Sequence, residues 1–343
     1  MQLQLKNVGM IKEANVKIDG LTVIAGENDT GKSTVGKALY FSLYEKIISF
    51  NAGVEKLDKD SLVLKKFDFK DFFFFNLNDG EIHLQDSKEE LFFLNKDEYH
   101  DNSNKYYKPI FIETPLILNL FTHFSKLDTI QNDIEYKVNN YPLVMRELYK
   151  QLKLELKVND LENNYELLNN IKKLIKGEVY IRGDEIRFLK NDQEIDVNSL
   201  ATGIKSFAII QLLLKNNYLN KNTVLILDEP EVHLHPKWQL EYAKIIVELV
   251  KNSVKVLATS HSPYMIEALK RYSDIEKIED KTNFYLAEDG YIKQEDNSNS
   301  KTLDKIFEKL SEPFETFEEM DAKKMENLIN GWYKSFFKRV FIF

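Results

Sequence analysis

Short apolar runs alternate along this chain with longer segments whose apolar residues recur at helical spacing. Three runs have the length of buried strands: Leu21–Ala25, Val224–Leu227 and Val254–Thr259. Three segments have helical spacing: Thr34–Ile48, Phe207–Leu214 and Trp238–Val250. Apolar runs this short are typical of parallel strands that helices cover on both faces. The pattern therefore predicts an α/β fold with parallel strands at its centre.

The first third of the chain adds an antiparallel pattern to this centre. Residues 2–8 and Ala14–Ile18 alternate apolar and polar side chains, and Asp19-Gly20 follows as a turn, which predicts a hairpin-like start. Residues 55–112 contain aromatic-rich strand patterns separated by polar turns such as 78–80. We therefore expect a mixed central sheet with an antiparallel β subdomain. We interpret Phe72–Phe75 as core, in preference to a stacking platform for bases.

Residues 116–176 are largely helical in pattern, with a break at Pro142, and they predict a helical insertion lobe. Six lysines make this lobe locally basic: Lys150, Lys153, Lys157, Lys172, Lys173 and Lys176. A solvated helix face is the first interpretation, and contact with nucleic acid is the alternative. Residues 177–290 follow with hairpins that turn at Gly183-Asp184 and Asp289-Gly290. We expect one head domain over residues 1–290, assembled from 1–112, 116–176 and 177–290.

The C-terminal residues form a separate helical extension in this prediction, over residues 301–343. The polar, Ser/Asn-rich stretch Gln294–Lys301 is typical of a flexible linker. Leu303–Val340 then predicts two amphipathic helical stretches broken around Pro313. The apolar end Val340–Phe343 either packs or is sticky, and the sequence leaves both open.

Composition narrows the functional classes. The 343 residues are 43% hydrophobic and 30% charged, as in a globular protein, and the formal net charge is −8. A net negative charge argues against a surface that is basic all over, the usual feature of a non-specific DNA binder. The absence of cysteine excludes disulfides, thiolate metal sites and cysteine nucleophiles. No apolar run is long enough for a bilayer and no secretory pattern opens the chain, so we expect a cytoplasmic protein with no membrane partner.

The strand Leu21–Ala25 leads into Gly-Glu-Asn-Asp-Thr-Gly-Lys-Ser at residues 26–33, which fits G-x-x-x-x-G-K-[ST]. Gly26 and Gly31 allow the backbone to turn its N–H groups toward phosphate oxygens. Lys32 is placed to reach the β- and γ-phosphates, and the Ser33 hydroxyl to bind Mg²⁺. The helix that follows adds its positive N-terminal end. This segment predicts a nucleoside triphosphate site that holds ATP with Mg²⁺.

Further chemistry follows the other strands. Asp228 and Glu229 end the strand Val224–Leu227, where ligands bind in open α/β sheets. Burying two adjacent carboxylates there is costly unless a cation is present, and a solvated acidic turn after an ordinary strand is the alternative interpretation. His261 follows the strand Val254–Thr259 in the same way. Ser199–Ser206 opens an apolar helix, and on its own this segment favours Ser199 or Thr202 as a simple helix cap.

The order of these motifs resembles the ABC-type ATPase heads of the SMC, RecF and OLD group, and within it the small bacterial antiphage and retron-associated ATPases of the Septu type. Gly26–Ser33 resembles Walker A, Leu225–Glu229 resembles Walker B, and residues 230–236 resemble its following loop. Ser199–Lys205 stands at the position of the signature motif and Ser260–Ser262 at that of the switch histidine. The resemblance covers most of residues 1–290 and implies a P-loop NTPase fold.

The resemblance also implies roles for individual residues. The nucleotide-binding set comprises Gly26, Asn28, Asp29, Thr30, Gly31, Lys32, Ser33 and Thr34 of one subunit with Ser199, Thr202 and Gly203 of a second, head to tail. The magnesium set comprises Ser33, Asp228 and, at the Q-loop position, Glu113. The catalytic set comprises Glu229, His261 and Lys32. A homodimer, or a higher even oligomer, is the expected assembly.

Four departures from the family pattern bear on these expectations. Asp29 stands where a small residue is usual, which implies weaker phosphate binding. The signature has Leu-Ala-Thr-Gly-Ile-Lys in place of Leu-Ser-Gly-Gly-Gln, and Glu113 stands where the family has Gln. His235 stands where many relatives carry the D-loop aspartate. His233 and His235 are candidates for a His-x-His metal pair, although a contact in the dimer is the favoured interpretation.

These expectations lead to one function and several alternatives. The first is an ATPase that acts on DNA or controls an effector in antiphage defence. Since only about 80 residues follow His261, without an Asp-x-Asp cluster, we expect a separate nuclease or toxin subunit as partner. The alternatives are a DNA repair ATPase of the SMC and RecF type, the ATPase subunit of a membrane transporter, and an assembly module that hydrolyses little ATP.

Overall fold

A computed structural model describes residues 1–51, 77, 79–87, 89–100, 107–129, 141–155 and 164–340 of the chain. The predictions for Phe72–Phe75 and Lys157, and most of the apolar end 340–343, lie outside the described residues. Eight helices are found in the described ranges: α1 (Lys32–Asn51), α2 (Ile117–Thr129), α3 (Leu143–Lys153), α4 (Tyr165–Ile175), α5 (Thr202–Lys215), α6 (Pro236–Lys251), α7 (Pro263–Ile275) and α8 (Asn299–Val340). Each of them is too short or too polar to cross a membrane.

Fourteen strands are found in the same ranges and form two sheets. They are β1 (Gln2–Val8), β2 (Ile11–Lys17), β3 (Leu21–Ala25), β4 (Glu81–Asp86), β5 (Glu89–Leu94), β6 (Tyr99–His100), β7 (Lys108–Ile112), β8 (Glu178–Arg182), β9 (Glu185–Lys190), β10 (Gln193–Asp196), β11 (Thr223–Leu227), β12 (Lys255–Ser260), β13 (Thr282–Glu288) and β14 (Tyr291–Lys293). The larger sheet has the order β6-β5-β4-β1-β2-β14-β13-β3-β12-β11-β7, and the smaller one β10-β9-β8.

The larger sheet is mixed, as predicted. Its β13-β3-β12-β11-β7 part is parallel, and its β6-β5-β4-β1-β2 part is antiparallel. Strands β3, β11 and β12 therefore end at the same edge, at Ala25, Leu227 and Ser260. Loops that follow parallel strands at one edge form the ligand-binding crevice of open α/β sheets. The predicted α/β fold with a mixed sheet is confirmed.

The parallel strands separate two hydrophobic cores because their side chains alternate across the sheet. Leu225 and Leu227 face the core formed with α2–α7, while Val224 and Ile226 face the core formed with α1 and the antiparallel strands. All four are fully buried, which explains why β11 is an unbroken apolar run in the sequence. Helices α2, α3 and α4 supply the predicted helical lobe, and Pro142 is the residue that precedes α3, where the break was expected.

The C-terminal predictions are wrong in two respects. Residues 294–301 are not a free linker, because Asn299 accepts hydrogen bonds from Phe284 N at 2.9 Å and from Gln294 Nε2 at 3.0 Å, and helix α8 begins there. Helix α8 also continues through Pro313 as one element of 42 residues. Proline removes one backbone donor from a helix interior. The long runs of good helix formers on both sides of Pro313 outweigh that loss.

Candidate nucleotide-binding site

Glycine is required at two positions of the loop between β3 and α1. Gly26 has φ +156°, and a Cβ there would lie 2.4 Å from the carbonyl oxygen of Ala287. Gly31 has φ +89°, and a Cβ there would lie 2.5 Å from Cδ1 of Ile11. Both a positive φ and contacts this close exclude ordinary side chains. The loop therefore has the glycine-dependent backbone that the sequence predicts for phosphate binding.

Lys32 is held inside this loop. Its Nζ donates to the carbonyl oxygens of Gly26, at 3.0 Å, and Glu27, at 2.5 Å, and its side chain is only 3% exposed. Burial lowers the pKa of Lys32 from its ordinary value, and the nearby carboxylate of Glu229 opposes that shift. Nζ lies 3.6 Å from Oε1 of Glu229. The cation therefore lies beside the strand-end carboxylate of Glu229.

The loop itself is closed by local hydrogen bonds. Thr30 Oγ1 donates to the carbonyl oxygen of Glu27 at 2.9 Å, and Thr34 N donates to that of Gly31 at 3.0 Å. Asp29 adopts a left-handed conformation, with φ +65°, and is exposed. An aspartate tolerates this conformation better than most residues. Asp29 therefore fits the backbone of the loop, while its charge faces the open side.

Asp228 joins the loop to the neighbouring strands. Its Oδ1 accepts hydrogen bonds from Ser33 Oγ at 3.0 Å and from Thr259 Oγ1 at 2.6 Å. Hydroxyl and carboxylate oxygens are the ligands that Mg²⁺ prefers, with water and phosphate completing its shell. The Ser33–Asp228 pair fits a magnesium ion. The described residues contain no group of three or more His, Cys, Asp or Glu side chains able to hold a metal by themselves.

Glu229 and His261 meet Lys32 at one point. Glu229 has φ +48°, and its N–H donates to Thr259 Oγ1 at 3.0 Å. Its Oε1 lies 3.4 Å from Nδ1 of His261 and 3.6 Å from Nζ of Lys32. A left-handed glutamate is uncommon, and strained backbone of this kind clusters at functional sites. The three residues predicted as catalytic thus lie together at the ends of β3, β11 and β12.

Glu231 was not among the predicted site residues, although it contacts the His261 loop. Its side chain is 3% exposed, and its Oε1 accepts from Ser260 Oγ at 2.7 Å, His261 N at 2.8 Å and Ser262 N at 3.2 Å. Burial raises the pKa of Glu231 above its ordinary value, against the effect of these hydrogen bonds. The only sequence signal was a third carboxylate directly after Asp228-Glu229-Pro230.

A pocket of about 380 Å³ lies beside Ser33, Asp228 and Glu229. Its walls comprise Asn28, Asp29, Ser33, Glu113, Thr114, Asp228, Glu229 and Val232. Glu113 follows β7, is half-exposed, and has its Oε1 3.9 Å from Nζ of Lys37. Its carboxylate therefore lies in the same pocket as the Ser33–Asp228 pair, and its role as a magnesium ligand stays a prediction.

Ser199, Thr202 and Gly203 do not line this pocket. They lie at the start of α5. Gly203 packs there against Leu234 of the loop after β11 and Trp238 of α6. A Cβ added to Gly203 would lie 3.3 Å from Leu234 Cδ2 and 3.3 Å from Trp238 Cε3. The residue that caps α5 is Ala201, and no side chain provides a capping hydrogen bond. The interpretation of Ser199 or Thr202 as a helix cap is therefore wrong. Their role in binding nucleotide across a dimer stays a prediction.

The two histidines of the loop after β11 have separate positions. His235 caps α6, because its Nδ1 accepts from Lys237 N at 3.3 Å. His233 adopts a left-handed conformation with φ +69° and is exposed. The hydrogen bond at the helix start occupies Nδ1 of His235. This cap accounts for a histidine at position 235 without a metal ion. The structure therefore gives no support to a His-x-His metal pair.

Comparisons with known proteins agree with this geometry. Residues 116–266 match the family described as AAA ATPase domain. Septu protein PtuA of Bacillus mycoides (strain KBAB4) is 29% identical over 123 residues, which cover 31% of this chain and 17% of that protein. Septu protein PtuA of Bacillus thuringiensis is 31% identical over 87 residues, which cover 22% of each. The chain thus matches less than a quarter of the length of these relatives.

Solved structures were compared as well. An SMC head bound to the C-winged helix domain of ScpA has 14% sequence identity and a TM-score of 0.46, over 85% of this chain and 95% of that one. An ATP-binding cassette of an ABC transporter in its ADP conformation has 15% identity and a TM-score of 0.41, over 91% and 96%. The chain thus combines a G-x-x-x-x-G-K-[ST] loop after β3 with a mixed α/β sheet, which is a P-loop fold, and its residues 116–266 match an AAA ATPase domain.

Proposed function

We propose that this chain binds and hydrolyses ATP with Mg²⁺, and that two copies close on the nucleotide head to tail. The observation that carries the proposal is the cluster of Lys32, Asp228, Glu229 and His261 beside the Gly26–Ser33 loop. These residues come from three separate loops. The hydrogen bond from Ser33 to Asp228 joins positions that are 195 residues apart in the sequence. Such an arrangement serves phosphoryl transfer, which depends on positioning and on electrostatic stabilisation.

Each residue has a defined task in this reaction. Lys32 neutralises charge on the β- and γ-phosphates, and Ser33 with Asp228 holds the metal ion, which supplies further positive charge to the same oxygens. Glu229 orients a water molecule toward the γ-phosphorus and accepts its proton, while the bond to the ADP oxygen breaks. His261, beside Glu229, donates a hydrogen bond to the γ-phosphate and detects its presence.

The position of the signature residues supports the proposed dimer. Ser199, Thr202 and Gly203 are outside the pocket of their own subunit, at the uncapped start of α5. An uncapped helix start carries free N–H groups and positive potential, which favour an anion. In the proposed dimer this helix start contacts the triphosphate held by the partner. The γ-phosphate then stabilises the dimer, and its loss allows the dimer to open.

The biological role we propose is antiphage defence, with a separate nuclease or toxin subunit as the effector. The support is the similarity of segments of the chain to Septu protein PtuA of two Bacillus species. The proposed cell compartment is the cytoplasm, and the locally basic helical lobe is the candidate for nucleic-acid contact. DNA repair and a transporter subunit are the alternatives; co-purification with a membrane permease would favour the latter.

The test of ATP hydrolysis uses Glu229→Gln with Lys32→Ala as its control. Glu229→Gln keeps the shape of the side chain and removes the base, so turnover falls on the order of 10²-fold or more while ATP still binds and dimers accumulate. Lys32→Ala loses both binding and ATP-dependent dimers. Turnover is measured by phosphate release and mass by analytical ultracentrifugation. Unchanged turnover in Glu229→Gln would favour the assembly module that hydrolyses little ATP.

The head-to-tail arrangement has its own test, which mixes two inactive variants. Ser199→Arg affects an exposed residue at the signature, whereas Lys32→Ala affects the opposite half of the site. Neither variant alone forms an intact composite site. In a mixture, the mixed dimer has one site with wild-type residues on both sides, so turnover recovers in part. A mixture as inactive as its components would contradict the proposed dimer.

A further inference from the structure

The outer half of helix α8, residues 311–330, projects from the folded body. Every side chain described in this half is exposed. It includes six large apolar residues that are 55–67% exposed: Phe314, Phe317, Met320, Met325, Leu328 and Ile329. Large exposed apolar patches on one element mark an interaction surface. The outer half of α8 is therefore a candidate for contact with another helix.

The apolar stripe of this half continues the stripe that anchors α8 to the body. Leu303 is buried, and Phe307 and Leu310 pack partly buried against the core beside β13. The spacing then alternates between four and three residues through positions 303, 307, 310, 314, 317, 321, 324 and 328. Such spacing places all eight positions on one seam, as in a helix that pairs lengthwise with another. The seam thus extends well beyond its last contact with the body.

Two of these seam positions are charged, and their charges are opposite. Asp321 and Lys324 interrupt the apolar seam between Phe317 and Leu328. The neighbouring Lys323 lies 3.9 Å from Glu319, one turn away on the opposite side of the helix. No ion pair within the described part of the chain engages Asp321 or Lys324. A single polar layer in an apolar seam is a known device for fixing the register and orientation of paired helices.

We propose that the outer half of α8 pairs with the same half of a second copy, antiparallel, about a two-fold axis between Ala322 and Lys323. Residues whose numbers sum to 645 then face each other. This register places Phe317 opposite Leu328 and Met320 opposite Met325. It places Asp321 opposite Lys324 twice, once on each side of the axis. The central positions of the seam are therefore matched in this register. At its edge Phe314 meets Gly331, and off the seam Glu319 meets Glu326.

Charge decides against a parallel pair. Parallel helices in register would place Asp321 opposite Asp321 and Lys324 opposite Lys324, and such like-charge contacts cost several kcal/mol at an interface. At a rise of about 1.5 Å per residue, the antiparallel register separates the two Leu310 residues by about 37 Å along the helix axis. The pair would form without nucleotide, and by tethering two copies it would raise the effective concentration of one head for the other.

The experiment swaps these two charges in the full chain, without nucleotide and in the Lys32→Ala background. That background separates this pairing from the ATP-dependent dimer, so each proposal can fail alone. Analytical ultracentrifugation measures the dissociation constant. Asp321→Lys alone and Lys324→Asp alone each place like charges in contact, and each weakens the dimer about 10-fold or more. The double swap restores it, and a mixture of the two single variants forms a mixed dimer.

Lys323→Asp is the matched control, because Lys323 lies off the seam and is expected to leave the dissociation constant unchanged. Circular dichroism verifies that each variant keeps its helix content. A wild-type chain that stays monomeric without nucleotide overturns the proposal, even if α8 is then found to bind another protein. So does a dimer whose dissociation constant is the same in the single and the double swaps.

Discussion

The loops around Glu231 bury charged and polar groups, whereas the outer half of α8 exposes apolar side chains to water. Around Glu231, charged and polar groups are buried, and the carboxylate accepts three hydrogen bonds from the His261 loop. In the outer half of α8, Phe314, Phe317 and Leu328 are 59–67% exposed. Burying a charge is costly without compensating hydrogen bonds, and exposing apolar surface forfeits the main stabilising term of folding. Both regions therefore depart from the ordinary arrangement of a globular protein.

The two departures are resolved in different places. Oε1 of Glu231 finds its three hydrogen-bond donors within one copy of the chain, while the buried atoms Glu231 Oε2 and His261 Nδ1 have no hydrogen-bond partner among the described residues. The seam of α8 finds no partner within the described residues of the same copy, so its stabilisation depends on a second molecule. The boundary between the two regimes lies within α8 itself, near Leu310. Substitutions on either side of that boundary give the clearest measure of the contrast.

The largest effect on stability is expected on the inner side of the boundary, from Ile306→Ala. Ile306 belongs to α8 and is fully buried in the core that contains residues of β11 and β12. Truncating a buried isoleucine removes apolar contacts and leaves a cavity, which costs about 2–5 kcal/mol of unfolding free energy. Urea denaturation followed by circular dichroism measures the change. A loss below about 0.5 kcal/mol would mean that α8 is not anchored to the body at this residue.

The sequence predicted those parts of the fold and the site that depend on neighbouring residues, and it missed those that depend on residues far apart in the sequence. Gly26, Lys32 and Ser33 were identified because one short segment defines the whole loop. Asp228, Glu229 and His261 were identified because they follow apolar runs, and parallel strands bring such ends to one edge. These signals are local, and the fold merely brings them together.

The errors concern interactions that the local sequence does not determine. Residues 294–301 have the composition of a linker, yet Asn299 is held by backbone groups of β13, far from any local signal. The residues around Glu231 have the composition of a solvated turn. Its carboxylate is buried only because the loop after β12 lies beside it and donates a hydrogen bond from His261 N. Pro313 breaks most helices, but the flanking residues keep α8 continuous. Each error arose where tertiary contacts or a long helical context outweighed residue preference.

An intermediate effect is expected from Glu231→Ala at the site. Removal of this carboxylate leaves Ser260 Oγ and the N–H groups of His261 and Ser262 without their shared acceptor. The His261 loop then loses its fixed position relative to Glu229, and we expect kcat to fall about 10- to 10²-fold, since each buried donor left unpaired costs about 1–3 kcal/mol. Binding of ATP to Lys32 and the Gly26–Ser33 loop stays close to wild type.

Glu231→Gln is the matched control for that prediction. Glutamine keeps a carbonyl oxygen as an acceptor at the position of Oε1, so kcat recovers in large part if Glu231 acts as a positioning residue through its acceptor oxygen. A merely structural role would lower the thermal stability of the alanine variant and its ATP affinity together. Equal kcat in the alanine and wild-type proteins would show that the His261 loop does not need this anchor.

The smallest effect on stability is expected from Phe317→Ala, on the outer side of the boundary. Phe317 is 59% exposed and contacts Phe314 one turn away, with ring centroids 6.1 Å apart. Its truncation removes little buried surface within one copy, so unfolding free energy changes by less than about 0.5 kcal/mol. The comparison is made in the Asp321→Lys background, where pairing between copies is weakened and cannot add to stability by mass action. A loss as large as that of Ile306→Ala would show that the outer half of α8 packs on its own body, and the contrast between the two regions would disappear.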